Sequence, residues 1–394
     1  MKSDRKVKRL LLGSFFLFSF YAPLLVAQDS TGRKLFQLHG YVKEMQTTAF
    51  SSLVPGTAND NLIHNRLNFK WFATANATVA IELRNRVFWG ETVSLSPNYG
   101  ALFEIDPGVV DLAFVWFNEN DWLFTSQIDR AYFNWNNDQW EVRIGRQRIN
   151  WGITSLWNSN DLFNAYTFTD FDYEERPGSD AIRVQRYFGG MNSFEVAIKP
   201  SLNDSTWVGA MIYRFNKWQY DFQVLGGWYN DDYALGVGWA GNIKMTSFKG
   251  EATYFHPQES FLDTLGALSL STSIDYLFPR NIYGSIGYLY NSIGLNTALN
   301  FSNMASFSAP VSAKSLMPAR HSTMLSVSFP VNALLSVSIA GVYSPRINFL
   351  LAMPSISYSL SASSEIALFT QNYWMGNNLD NIGNGIYLRL KYSF

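Results

Sequence analysis

Asn384-Gly-Ile386-Tyr-Leu388-Arg-Leu390-Lys-Tyr392-Ser-Phe394 closes the chain, and its large apolar residues fall on every second position. Ile386, Leu388, Leu390, Tyr392 and Phe394 share one face of an extended strand; Tyr387, Arg389, Lys391 and Ser393 share the other. The same period of two sets Val79, Ile81, Leu83, Val87 and Trp89 against Glu82, Arg84 and Arg86, and it returns at 140–144, 194–198, 218–224, 268–276 and 325–329. Counting every such segment predicts about 18 strands (16–18), each of the roughly 9–11 residues that a tilted membrane-crossing strand needs. Short connections such as Asn136-Asn137, Gly189-Gly190, Asn230 and 330–332 are set against long ones near 90–124, 152–178, 256–265, 292–320 and 372–383. The expected architecture is all-β: a single transmembrane antiparallel up-and-down β-barrel, with short periplasmic turns and long outer loops.

Composition supports closure. Of 394 residues 47% are hydrophobic, 16% aromatic and only 15% charged, a balance that fits neither disorder nor a nucleic-acid binder. Beyond the N-terminus no run of about 18 uncharged apolar residues exists, so transmembrane helices are excluded. Without cysteine there is no disulfide, thiolate nucleophile or Cys-ligated metal. Lipid offers no partner to a backbone amide, so a membrane sheet must close on itself. The aromatic excess then belongs in interfacial girdles, with Trp71, Trp89, Trp135, Trp140, Trp218, Tyr288, Tyr290, Tyr343, Tyr358 and Tyr392 as members. A secreted sandwich, propeller or β-helix is the competing reading, but no repeat of fixed period is present.

Lys2, Arg5, Lys6, Lys8 and Arg9 precede an apolar stretch from Leu10 to Val26, the pattern of an export signal. Cleavage is expected after Ala27, giving a signal peptide over 1–27 and a barrel over 28–394, destined for the cell outer membrane.

With the apolar set outward, Arg66, Lys70, Arg84, Arg86, Arg130, Arg143, Arg183 and Lys199 point into the lumen, against Glu82, Glu141 and Glu195. The wall from 281 to 364 is instead rich in Ser, Ala and Gly. Guanidinium groups offer planar, bidentate partners to carboxylate or phosphate, and cationic rings select anions. The other reading is that these arginines pair with neighbouring acids and brace the wall. Strict alternation from Trp140 puts Arg146 and Arg148 on the lipid side; either Gly145 hosts a bulge that turns them into the lumen, or the strand has already left the hydrocarbon. The connection that follows is strongly aromatic and acidic, with Trp151, Trp157, Phe163, Phe171, Tyr173, Glu174, Glu175 and Arg176. It is expected to fold into the mouth as a constriction loop; a contact surface for a partner chain is the alternative.

Gly-Arg-Gln-Arg-Ile-Asn-Trp-Gly at 145–152, Asp-Phe-Asp-Tyr-Glu-Glu-Arg-Pro-Gly at 170–178 and the terminal Phe resemble the large porin-like outer-membrane barrels of Gram-negative bacteria. The likeness is greatest to alginate-export-like, anion-selective channels. It implies an 18-stranded, Arg-lined barrel that passes anionic polymers or solutes, with Tyr392 and Phe394 as the signal for the outer-membrane barrel assembly machinery.

Catalysis is not expected. His39, His64, His256 and His321 form no Ser-His-acid pattern, and no HExxH, P-loop, EF-hand or dinucleotide motif occurs. No cofactor, metal or nucleic-acid partner is implied. The expected function is a channel for passive diffusion of small hydrophilic solutes, anionic or neutral, through an Arg-rich lumen. The alternative is a non-conducting barrel that serves as scaffold or partner of a secretion or assembly complex.

Overall fold

The computed structural model describes residues 35–394 apart from 53–55, 97, 107, 120, 166–174, 176–177, 203–205, 260, 262 and 299–310. The expected export signal and its cleavage after Ala27 lie outside the described residues. The described residues form nineteen strands. The first nine are β1 (Phe36–Ser51), β2 (Thr57–Phe72), β3 (Ala77–Gly90), β4 (Ala113–Glu119), β5 (Trp122–Asn136), β6 (Trp140–Gln147), β7 (Ser179–Tyr187), β8 (Ser193–Lys199) and β9 (Val208–Lys217). The rest are β10 (Tyr220–Tyr229), β11 (Asp232–Ile243), β12 (Thr246–Pro257), β13 (Ala267–Phe278), β14 (Ile282–Asn291), β15 (His321–Pro330), β16 (Leu335–Ser344), β17 (Phe349–Ser359), β18 (Ser364–Met375) and β19 (Asp380–Ser393). Two short helices, α1 (Glu91–Leu95) and α2 (Ala101–Glu104), lie between β3 and β4.

Eighteen strands make a closed antiparallel barrel, each paired with its neighbours in sequence, and β19 returns to β1. At the seam the Gly40 amide donates to the Phe394 carbonyl at 2.9 Å and Phe394 donates back at 3.0 Å. Gly40 is required there, because a Cβ would stand 2.1 Å from the Arg66 carbonyl oxygen and 3.1 Å from the Phe394 ring. The nineteenth strand, β4, was not expected. It pairs only with the outer half of β5, where β6 has already ended. A second difference is the last long connection, which shrinks to 376–379 because β18 and β19 extend further.

The outward set is apolar and exposed, as in Leu235 (66%), Ile339 (54%) and Leu388 (40%). Such a continuous belt requires cover by an apolar medium. Trp71, Trp135, Trp140, Tyr358 and Tyr392 fall toward the turn end of their strands, Trp218 sits in the β9–β10 turn itself, and Trp89, Tyr288, Tyr290 and Tyr343 fall toward the loop end. No helix of the described residues is long and apolar enough to cross a membrane.

Inside, the buried core is not a sandwich but a filling. Ile149, Trp151, Leu162 and Phe163 pack on the inward residues Ala197, Ile212, Leu225, Ala234 and Phe255 of the wall. The sequence pattern implied a polar inner face throughout, so this apolar patch is a correction, and it exists because the β6–β7 connection covers it.

Candidate functional site

The lumen side of β2, β3, β5, β6, β7, β8 and β9 carries two groups of paired ions, one around Arg66 and one around Glu141 and Glu195. Arg66 meets Glu82 at 2.6 Å, Asp129 at 2.5 Å and Glu175 at 3.7 Å. Arg84 meets Asp129 at 3.0 Å and Gln127 at 2.6 Å, and Arg130 meets Glu82 at 3.4 Å. Glu141 accepts from both Arg143 (2.8 Å) and Arg183 (2.6 Å), and Glu195 is 2.9 Å from Arg214. Arg86 lies over the rings of Phe88 and Phe103, at 5.3 and 4.8 Å, where α1 and α2 turn into the mouth. Lys70 and Lys199 have no carboxylate within 4 Å among the described residues.

Asp129 is a site residue that alternation hides. The β3–β5 register shifts between Glu82 and Leu83, pairing Glu82 with Arg130 but Leu83 with Ile128. The extra residue of this bulge lets Asp129 and Arg130 both reach the lumen network. Arg214 was likewise missed; it stands opposite Ser193 on the same wall.

Arg146 is corrected from a lumen cation to a wall latch. It keeps the outward register opposite Ala131 and Asp180, while Gly145 takes φ 113°, a backbone that favours glycine. Its guanidinium bonds Asp180 (2.7 and 2.9 Å), Asp106 (2.6 Å) and the carbonyls of Val110 (2.7 Å) and Ile128 (3.4 Å). It thus ties β5, β7 and the start of β4 together where β6 stops, and its charge is fully answered. Arg148 lies past the end of β6, half-buried at the start of the inward connection.

The stretch 148–165 crosses the barrel interior. Trp151 is 1% exposed, and its Nε1 donates to Glu195 at 2.8 Å while its carbonyl accepts from Gln223 at 2.7 Å. The Ile153 amide donates to Glu251 at 2.9 Å, and Thr253 donates to Asn160 at 2.6 Å. Its landing strip is the inward edge of β11, where Ala234, Gly236, Gly238 and Ala240 present almost no side chain. A Cβ on Gly236 would stand 2.8 Å from Asn160 and one on Gly238 2.8 Å from Ile153. Trp157 enters a second cluster with Leu289, Met317, Ile347 and Leu351, which includes part of the β14–β15 connection. Phe171, Tyr173, Glu174 and Arg176 lie outside the described residues.

Opposite the ion network, β15 to β17 line the lumen with serine. Ser336 pairs with Ser357 and Ser338 with Ser355, each at 2.6 Å. A cavity of 550 Å³ lies beside the loop, lined in part by Trp151, Tyr187, Arg214 and Asp221. His321 bonds the Tyr288 hydroxyl at 2.7 Å and His256 the Tyr254 hydroxyl at 3.1 Å. No grouping of three or more His, Cys, Asp or Glu with metal-holding geometry occurs among the described residues.

No protein-family model and no curated protein sequence matches the chain. Solved structures do. OccAB4 of Acinetobacter baumannii is similar with a TM-score of 0.57 at 9% identity, covering 93% of this chain and 100% of that one. OccK5 (OpdH) of Pseudomonas aeruginosa is similar with a TM-score of 0.58 at 8% identity, covering 91% and 98%. OpdQ of the same organism gives 0.55 at 7% identity, over 92% and 99%. At these identities the likeness establishes the fold, the closed barrel over nearly its whole length.

Proposed function

We propose that this chain is a porin-like channel of the Gram-negative outer membrane through which small hydrophilic solutes diffuse passively. The observation that carries it is the pairing of an exposed apolar belt with a polar, ion-lined interior in a closed ring of eighteen strands. Barrels of 16–18 strands are too wide to be filled by their own wall side chains, so they leave an aqueous path. The similar Occ and Opd structures share this closed barrel over nearly the whole chain, which supports the same reading.

The finer part of the proposal concerns charge. The arginines of the basic wall are braced by Glu82, Asp129, Glu141 and Glu195, so selectivity does not come from free guanidinium groups. Cations still outnumber carboxylates on the described part of this wall, and Lys70 and Lys199 add positive charge without an ion-paired partner. A modest preference for anionic solutes follows, a class that includes the polymers implied by the alginate-export-like resemblance.

Planar-bilayer recording tests both levels. The purified protein should give ohmic conductance, with a reversal potential in a salt gradient that favours anions. The Lys70→Gln/Lys199→Gln double variant should keep its conductance while its anion-to-cation permeability ratio falls severalfold. Cation preference in the unmodified protein would overturn the charge argument. A folded barrel with no conductance would overturn the channel itself, in favour of a scaffold.

A further inference from the structure

The short-turn end of the barrel, the end that faces the periplasm in barrels of this kind, is unevenly charged. Four consecutive hairpins carry one cation each at their turns: Arg186 near the end of β7, Lys217 at the end of β9, Lys244 between β11 and β12, and Arg280 between β13 and β14. All four are exposed, and none has a carboxylate within 4 Å among the described residues. Asp221, the acid nearest to them in sequence, faces the lumen and accepts from Asn216 at 2.7 Å. Among the described residues, the turns at 73–76, 137–139, 331–334 and 360–363 have no cation within two positions, and one of them holds Asp138.

These cations stand at the border of the apolar belt. Arg186 shares the outward face of β7 with Ile182 and Val184, and its guanidinium lies 5.1 Å from the ring centres of both Trp140 and Phe188. Lys217 holds its ammonium 4.4 Å from the centre of the Trp218 ring. At or beside the same turns, Met191, Trp218, Met245 and Phe278 are 48–79% exposed. Turn geometry does not account for the charge: Lys244 and Arg280 take φ 58° and 66°, a backbone better suited to Asn or Gly. The apolar fringe continues the belt into the turns, so the bilayer that covers the belt covers the fringe as well. The cations then lie level with lipid headgroups, their stems on apolar surface and their charged ends toward water.

Two strands separate consecutive hairpins, so neighbouring cations stand roughly 10 Å apart, too far to share one phosphate. Each meets a headgroup of its own, and an arginine offers a phosphodiester two parallel donors. Membrane surfaces rich in anionic lipid attract interfacial Lys and Arg. We propose that the hairpins β7–β8, β9–β10, β11–β12 and β13–β14 form a basic arc that gathers anionic phospholipid headgroups, such as phosphatidylglycerol, around one side of the barrel. The hairpins β15–β16 and β17–β18, without a cation at their turns, lack that preference. This inference rests on membrane insertion and is independent of conduction.

Native mass spectrometry of the full chain in mild detergent, with phosphatidylglycerol or phosphatidylethanolamine of the same acyl chains added at equal concentration, reads the preference. The unmodified protein should retain severalfold more phosphatidylglycerol. Arg186→Gln/Lys217→Gln/Lys244→Gln/Arg280→Gln should lose most of that excess and keep its phosphatidylethanolamine, whereas Lys70→Gln/Lys199→Gln in the lumen should keep the excess. Heat-modifiable mobility in electrophoresis verifies that each variant is folded. Raising the salt from about 0.05 to about 0.5 M should shrink the excess in the unmodified protein, a readout that needs no variant. Equal retention of the two lipids, an excess insensitive to salt, or one that persists in the folded quadruple variant would overturn the proposal. Release of the protein from membranes by alkaline carbonate without detergent would instead show that membrane insertion itself is wrong.

Discussion

Arg66 carries more of the lumen than any other side chain. It is 1% exposed and touches carboxylates from three parts of the chain: Glu82 on β3, Asp129 on β5 and Glu175 from the β6–β7 connection. Its planar fork suits this task in a way that a lysine ammonium does not, since two carboxylates can be met along separate edges. Burying these ions is costly unless the set stays complete, and removal of one member leaves the others charged and unanswered. Arg66→Met should therefore destabilise the barrel by about 3–5 kcal/mol, read from the urea midpoint of refolding into micelles. Arg66→Met combined with Glu82→Leu should recover part of that loss. A single-variant loss below about 1 kcal/mol, the range of solvated surface pairs, would mean that water already screens the network and that the bracing role assigned to it is wrong.

At the scale of the strand, β6 shows how a departure from regularity builds the site. Gly145 holds φ 113°, and a Cβ there would stand 2.3 Å from the Ala131 carbonyl oxygen on β5. This turn of the backbone precedes Arg146, whose guanidinium seals the gap as the chain leaves the wall for the interior. Gly145→Ala forces either a strained conformation or a shift of β6 against β5, and should cost about 2 kcal/mol. It should also raise proteolytic cleavage in the 148–165 stretch, because the latch that launches it is displaced. Unchanged unfolding and unchanged cleavage together would remove the latch from the account. Alternation revealed the eighteen barrel strands because each presents one face to an apolar surround and one to water and ions, a contrast the residues must encode. Where that contrast fails, so does the reading. β4 has Val115, Trp116 and Phe117 in an unalternating run around a bulge, set inside a long connection. Asp129 was invisible for the same reason, since one extra residue reverses the faces beyond it. The landing strip on β11 was present in the sequence as small residues between Tyr233, Leu235, Val237 and Trp239, but only the folded connection gives those gaps a purpose.

The whole molecule poses a problem of width: a ring of eighteen strands encloses more space than its side chains fill, and two devices divide that space. The ion network stiffens one wall, while residues 148–165 occupy the interior beside another, sealed by Trp151, Phe163 and the apolar patch beneath them. What is left for solute lies between this filling, the basic wall and the serine wall of β15–β17. Replacing 152–163 with a short Gly-Ser linker keeps every strand pairing and removes the narrowing, at the expense of exposing Ala234, Leu225 and Phe255 to water. Single-channel conductance should rise severalfold, and anion preference should weaken because the widened lumen places more solution beyond the reach of the wall charges, about 10 Å at 0.1 M salt. Electrophoretic heat-modifiability would confirm that the shortened barrel is closed. If conductance did not change, the stretch would be a wall lining and the narrowest section would lie elsewhere. If the unmodified protein were closed and the shortened one conducted, the same residues would be a plug, and the resting barrel would be gated rather than passively open.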